Sequence, residues 1–162
     1  MYKEVDIYWE GPFEVEYDRE TMLYTFNESI PVELKNANGF YQIYGDHPVY
    51  GKDVLLYIGE TKPSQNGTRD FSVRMKEHVS GRFWYHHGLK IRLGIGYIDD
   101  NELKDRESIL AVESLLIASN MPALNREHID HSNAQSVDFI VRNWNFKGSI
   151  SAECTGKYWA KD

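Results

Sequence analysis

The chain has little that would tie it to an oxidising compartment or to a lipid bilayer. Cys154 is the one cysteine among 162 residues. It leaves no intramolecular disulfide and no cysteine-based metal spacing, in keeping with a reducing cytoplasm. No apolar run approaches the roughly 20 residues that a bilayer-spanning helix needs. The amino-terminal stretch Met1-Tyr2-Lys3-Glu4-Val5-Asp6 does not follow the basic-then-apolar order of a secretory signal. The expectation is a cytoplasmic protein with no membrane partner. Positive charge is also scarce: 18 Lys and Arg stand against 25 Asp and Glu, a net charge of −7. A DNA-binding domain usually carries a basic footprint, so any nucleic-acid contact has to come from a local patch. Residues 62–92 provide one, with Lys62, Arg69, Arg74, Lys76, Arg82, Lys90 and Arg92, whereas acidic residues gather in the first 33 positions.

A hydrophobic share of 41%, with 14% aromatic, is enough to bury one core, and residues 1–162 read as a single domain. Two tyrosine-bearing runs, Gly39-Phe40-Tyr41-Gln42-Ile43-Tyr44-Gly45 and Leu55-Leu56-Tyr57-Ile58-Gly59-Glu60, have the composition of short half-buried strands. Pro48 and Gly51 between them fit a hairpin connection, so an antiparallel pair holding two phenols close together is expected. Thr68 to Ser80 reads as a helix. Asp70 or Thr68 can cap it, Gly81 can end it, and Phe71, Met75 and Val79 recur every fourth residue. Arg74 and His78 occupy the adjacent stripe one turn apart, so both can reach one object; the same spacing also suits an ordinary solvated face. Lys90 to Ile98 alternates through Ile91, Leu93, Ile95 and Tyr97 as a third strand. Asp105 to Ser119 forms a second helix that stops at Met121-Pro122. Glu113 lies in its middle between apolar neighbours, and a carboxylate in that setting needs a cation, a metal ion or a wet cleft.

With Tyr41, Tyr57-Ile58-Gly59, Arg74, His78, Glu113 and Asn125 in this order, the chain resembles the GIY-YIG nuclease family over residues 37–130. Gly39-Phe40-Tyr41 stands for the first tripeptide, with Phe at its middle position, and Tyr57-Ile58-Gly59 reproduces the second. Glu113 lies where the family has its metal-binding glutamate, and Asn125 resembles the asparagine after that helix. The spacing of Arg74 and His78 is most similar to the small restriction-endonuclease branch. The resemblance implies an α/β (α+β) core with a three-stranded antiparallel sheet flanked by helices, and outside it residues 1–36 and 131–162 read as terminal β extensions. It implies catalytic residues Tyr41, Tyr57, Arg74, His78, Glu113 and Asn125. One Mg²⁺ or Mn²⁺ per site would be bound by Glu113.

The expected activity is a metal-dependent DNA endonuclease of type II restriction character, acting on double-stranded DNA, with a homodimer as one way to cut both strands. A structure-specific repair nuclease, a catalytically silent nucleic-acid-binding module and an acidic protein-interaction domain are the alternatives. Lys62, Arg69, Lys76, Arg82, Trp84 and Lys90 are the expected DNA contacts. Phe83, Trp84 and Tyr85 would either stack on bases or pack under the loop. Tyr44 is a second phenol three residues from Tyr41. The two point to opposite faces of a strand, and alignment of the motif favours Tyr41. Residues 1–36, with Val5, Ile7 and Trp9 before Gly11-Pro12, suggest a hairpin or added edge strands. The aromatic tail through Phe139, Trp144, Phe146 and Trp159 would complete the sheet, form a dimer surface or carry target recognition.

Overall fold

The computed structural model describes residues 1–26, 30–61, 63–64, 67–68, 70–81, 83 and 86–161. The amino-terminal alternation gives one long strand, β1 (Lys3–Asp18), followed by β2 (Leu23–Phe26) and the single-turn helix α1 (Val32–Lys35). The tyrosine runs form β3 (Phe40–His47) and β4 (Gly51–Glu60), and a short ribbon of β5 (Pro63–Ser64) and β6 (Gly67–Thr68) leads into α2 (Phe71–Gly81). Then come β7 (Lys90–Ile98), β8 (Asn101–Glu102) and α3 (Arg106–Asn120). A single 3₁₀ turn (Ala134–Ser136), β9 (Phe139–Asn145), β10 (Glu153–Thr155) and α4 (Gly156–Trp159) close the chain.

The expected architecture needs correction. Instead of a three-stranded antiparallel sheet flanked by helices, the described strands form one mixed eight-stranded sheet in the order β10-β9-β1-β7-β3-β4, with β2 added to β1 and β8 to β7. The flanking segments extend this sheet: β2 folds back on the end of β1 as a hairpin, and β9 and β10 complete the sheet on its outer side. β1 lies inside the sheet, antiparallel to β7 on one side and parallel to β9 on the other. It does not turn back at Gly11-Pro12, where its pairing with β7 merely shifts register between Glu10 and Phe13. Such an irregularity leaves a residue unpaired, which suits a proline that has no N–H to donate. Alternation along a strand reports which face is buried and says nothing about whether its two edges are bonded, so an interior strand reads like an edge strand.

One face of the sheet packs on α3. Val5, Ile7 and Trp9 of β1, Phe40 of β3 and Ile58 of β4 meet Ile109, Val112, Leu115 and Leu116 in one core. Trp9 sits over Gly94 of β7, where an added Cβ would come within 2.7 Å of its ring, and its Nε1 donates to Asn143 Oδ1 at 2.9 Å. On the other face Tyr41, Ile43, Leu56, Ile91 and Leu93 meet Phe71 and Met75 of α2, with Ile30 and Leu34 beside them. α3 begins where Asp105 accepts from Ser108 N at 2.8 Å and ends at Met121, whose φ of 48° is left-handed, just before Pro122. No helix among the described residues is long and apolar enough to cross a membrane.

Candidate active site

The site begins with a bulge. Ile43 of β3 pairs with Tyr57 of β4, but Tyr44 pairs with Leu55, leaving Leu56 as the extra residue. Leu56 and its neighbour Tyr57 therefore both turn toward α2, where Leu56 is buried in the core and Tyr57 packs against it. Tyr41, two residues before Ile43, shares that face, and its ring lies 6.1 Å from that of Tyr57 at an interplanar angle of 24°. Tyr44 points the other way. Its hydroxyl donates to Gln42 Oε1 and accepts from Ser149 N at 3.0 Å, so of the two phenols it is Tyr41 that lies beside Tyr57.

α2 delivers the next two groups. Asp70 Oδ1 caps it by accepting from Val73 N at 3.1 Å, and Thr68 falls in β6 instead of the helix. Phe71 and Met75 anchor one stripe in the core. The neighbouring stripe carries His78, buried with its Nε2 only 2.6 Å from Tyr41 Oη. Its ring stands 5.0 Å from that of Tyr57 and 5.7 Å from that of Phe83. Arg74, one turn earlier, donates from Nη1 to Glu77 Oε2 at 3.0 Å, with about a quarter of its side chain exposed.

Tyr41 is sealed in completely. Gly59 lies directly against its hydroxyl and outer ring carbons, so that a Cβ at residue 59 would overlap them. Burial pushes the Tyr41 phenol well above its ordinary pKa, and Tyr57, Glu113 and Glu60 act in the same direction while Arg74 opposes them. The groups that act electrostatically on this one phenol are thus three of the expected site residues, Tyr57, Arg74 and Glu113, together with Glu60. At Arg74 burial works against the charge, but Tyr41, Glu77 and Tyr57 outweigh it and the guanidinium stays protonated.

Glu113 enters from α3, which lies against β4. It is half-buried, between the buried Val112 and Ser114, and it opens into a cleft of about 320 Å³ shared with Tyr57, Asn125, Glu127 and His128. The chain after α3 folds back along β4: Ala123 N donates to Leu55 O at 3.1 Å and Leu124 N to Leu56 O at 2.8 Å. Asn125 finishes this seam with its side chain, accepting from Ile58 N at 2.9 Å and donating to Ile58 O at 3.0 Å. Its role is to satisfy the open edge of β4 and fix the backbone between Tyr57 and Gly59. Asn125→Ala is expected to lower stability by about 1–3 kcal/mol, the range for leaving such backbone groups unsatisfied. Urea unfolding should show the midpoint falling, and an unchanged midpoint would remove Asn125 from this role.

Not every expected residue joins the cluster. Lys62, Arg69, Arg82 and Trp84 lie outside the described residues. Lys76 is exposed on α2, and Lys90, paired with Asp53 at 3.8 Å, sits three residues up β7 from the Leu93 that pairs with Tyr41. Phe83 packs against Tyr57 and His78, and His86 is buried with Nδ1 3.0 Å from Asp46 O, so this part of the aromatic run lies under the loop. Glu60, Glu127 and His128 were not anticipated. The last two lie two and three residues after Asn125, but their placement depends on the return of residues 123–125 along β4.

Among the described residues no group of three or more His, Cys, Asp or Glu surrounds one point. The half-buried Glu113, with Glu127 and His128 elsewhere on the wall of an open cleft and no clustered ligand set among the described residues, does not suit a tetrahedral zinc site. It does suit Mg²⁺ or Mn²⁺, which keeps most of its water and needs few protein ligands. Comparison with protein-family models, with curated proteins and with solved structures finds no match.

Proposed function

We propose that the chain is a metal-dependent DNA endonuclease that hydrolyses phosphodiester bonds, with a site of the GIY-YIG kind and the character of a small restriction enzyme. The observation that carries this reading is the convergence of Tyr41, Tyr57, His78, Arg74 and Glu113 from β3, β4, α2 and α3 around one buried phenol. Residues that only maintained the fold would have no reason to gather a second phenol, an imidazole, a guanidinium and a carboxylate about one buried phenol.

The chemistry divides among them by accessibility. A divalent cation held by Glu113, with water and phosphate oxygens completing its shell, would neutralise charge on the phosphoryl group. Tyr57, half-buried and lining the cleft, orients the attacking water. Tyr41 is enclosed and its proton is held tightly, so it is no base. Its 2.6 Å contact with Nε2 fixes the ring of His78; with Nε2–H donating to Tyr41 Oη, Nδ1 takes the proton from the water and gives it up to the leaving alkoxide. Arg74 donates to the scissile phosphate, its planar fork matching two phosphoryl oxygens. Releasing Glu77 costs little, because a partly exposed ion pair is weak.

The test is incubation of plasmid and phage DNA with the protein in Mg²⁺ or Mn²⁺, with chelator as control. Discrete fragments would mark a sequence-specific enzyme, and preference for flaps or branches would mark a repair nuclease. Intact DNA on all these substrates, despite salt-sensitive binding, would overturn the enzymatic reading in favour of a silent binding module. Arg74→Ala is expected to slow single-turnover cleavage by on the order of a hundredfold, and an unchanged rate would take Arg74 out of the site.

A further inference from the structure

The sheet face that carries Tyr41 and Tyr57 at one end is uncovered at the other. There β1, β7 and α1 enclose a groove of about 710 Å³. Its floor is apolar: Leu34 and Ile95 flank Tyr8 and Tyr97, whose rings meet edge to face at 5.8 Å and 67°. Tyr8 lies on an interior strand, bonded on both sides, yet is 45% exposed. The rim consists of Asp6, Glu10, Glu33 and Asp100, and among the described residues no Lys, Arg or His lines the groove. Asp6 accepts from Trp144 Nε1 at 2.7 Å, while Glu10, Glu33 and Asp100 form no ion pair with any described residue. Nearby carboxylates behave differently: Glu4 and Glu153 share Arg142 at 3.0 and 3.1 Å.

We propose that this groove docks a basic segment of another polypeptide, with an arginine side chain lying over Tyr8 and Tyr97 and the rim carboxylates around it. The aromatic floor presents the negative face of its rings to a cation. The rim adds negative charge that a cationic occupant complements. Arginine is favoured over lysine because its planar group stacks on the rings and bonds a carboxylate through two N–H groups at once. The volume is in the range of a pocket for one or two side chains. The same charge repels a phosphate backbone, so the groove is not a continuation of a DNA track, and the inference stands apart from the nuclease reading.

The full chain, labelled with ¹⁵N, would be titrated with a fluorescent eight-residue peptide of alternating Arg and Leu, and with its Lys/Leu and Glu/Leu counterparts. Saturable binding is expected in the order Arg above Lys, with none for Glu, and with amide shifts confined to residues 6–10, 33–34 and 95–100. Glu10→Gln combined with Glu33→Gln, both exposed positions, should weaken binding by at least about tenfold. Tyr8→Ala should do the same, and Glu107→Gln, on the exposed start of α3, should change nothing. Absence of binding up to about 1 mM, shifts that map elsewhere, or an equal loss in Glu107→Gln would overturn the proposal.

Discussion

Glu113→Gln is expected to reduce metal-dependent cleavage by on the order of a thousandfold or more, while the protein keeps its fold. Loss of a single charge-stabilising donor already costs a hundred- to a thousandfold in other active sites, and here the substitution removes the one acidic group of the expected set. Glutamine has the same shape, and the side chain projects into an open cleft, so the packing of Ile109, Val112, Leu115 and Leu116 under α3 is untouched. Two readouts besides activity isolate the role. Binding of Mn²⁺, followed by paramagnetic relaxation of water, should be lost. The Tyr41 phenol should also ionise at lower pH, because the Glu113 charge is among the groups that hold its pKa up. Retained cleavage in Glu113→Gln would sink the assignment, and lost cleavage with a collapsed fold would show a structural role instead.

Much of the site was legible in the sequence because its residues announce themselves locally. Phe71 and Met75 fix the phase of α2 and thereby place Arg74 and His78 on one stripe. The apolar neighbours of Glu113 single it out, and it lines a cleft with Tyr57 and Asn125, while the alternation of β7 correctly put Ile91 and Leu93 in the core. What the sequence hid is set by long-range pairing. β1 reads as a hairpin or an edge, and only its bonds to β9, more than 130 residues away along the chain, make it interior. The bulge at Leu56, which turns Tyr57 toward Tyr41, depends on the register of β3 against β4, and a run of Leu-Leu-Tyr-Ile does not reveal it. Asn125 looks like a turn residue until its partner, the backbone of Ile58, is known. The net charge of −7 does not say where the charge lies either: Glu10, Glu33 and Asp100 rim a groove on β1 and β7, apart from the candidate site residues on β3, β4, α2 and α3.

Gly59→Ala is the substitution with the largest expected effect on stability, about 3 kcal/mol or more, and it should abolish cleavage as well. Gly59 has ordinary extended backbone, so the reason for glycine is not conformational freedom but space: a methyl group there overlaps the hydroxyl and outer carbons of Tyr41. The Tyr41 ring cannot retreat, being fully buried and packed against Tyr57 and His78. Overfilling a packed core costs about 1–3 kcal/mol. Dislodging the buried phenol from His78 adds about 1–3 kcal/mol for the hydrogen bond left unmade. Tyr41→Phe in the same background separates the two contributions. It removes the hydroxyl but leaves the ring carbon in the way, so Gly59→Ala should remain destabilising beside it, by less than in the wild-type background. Chemical denaturation of the four proteins in this cycle measures both. If Gly59→Ala unfolds at the wild-type midpoint, the Tyr41 ring is free to move, and the sealed Tyr41–His78 pair on which the proposed proton path depends does not exist.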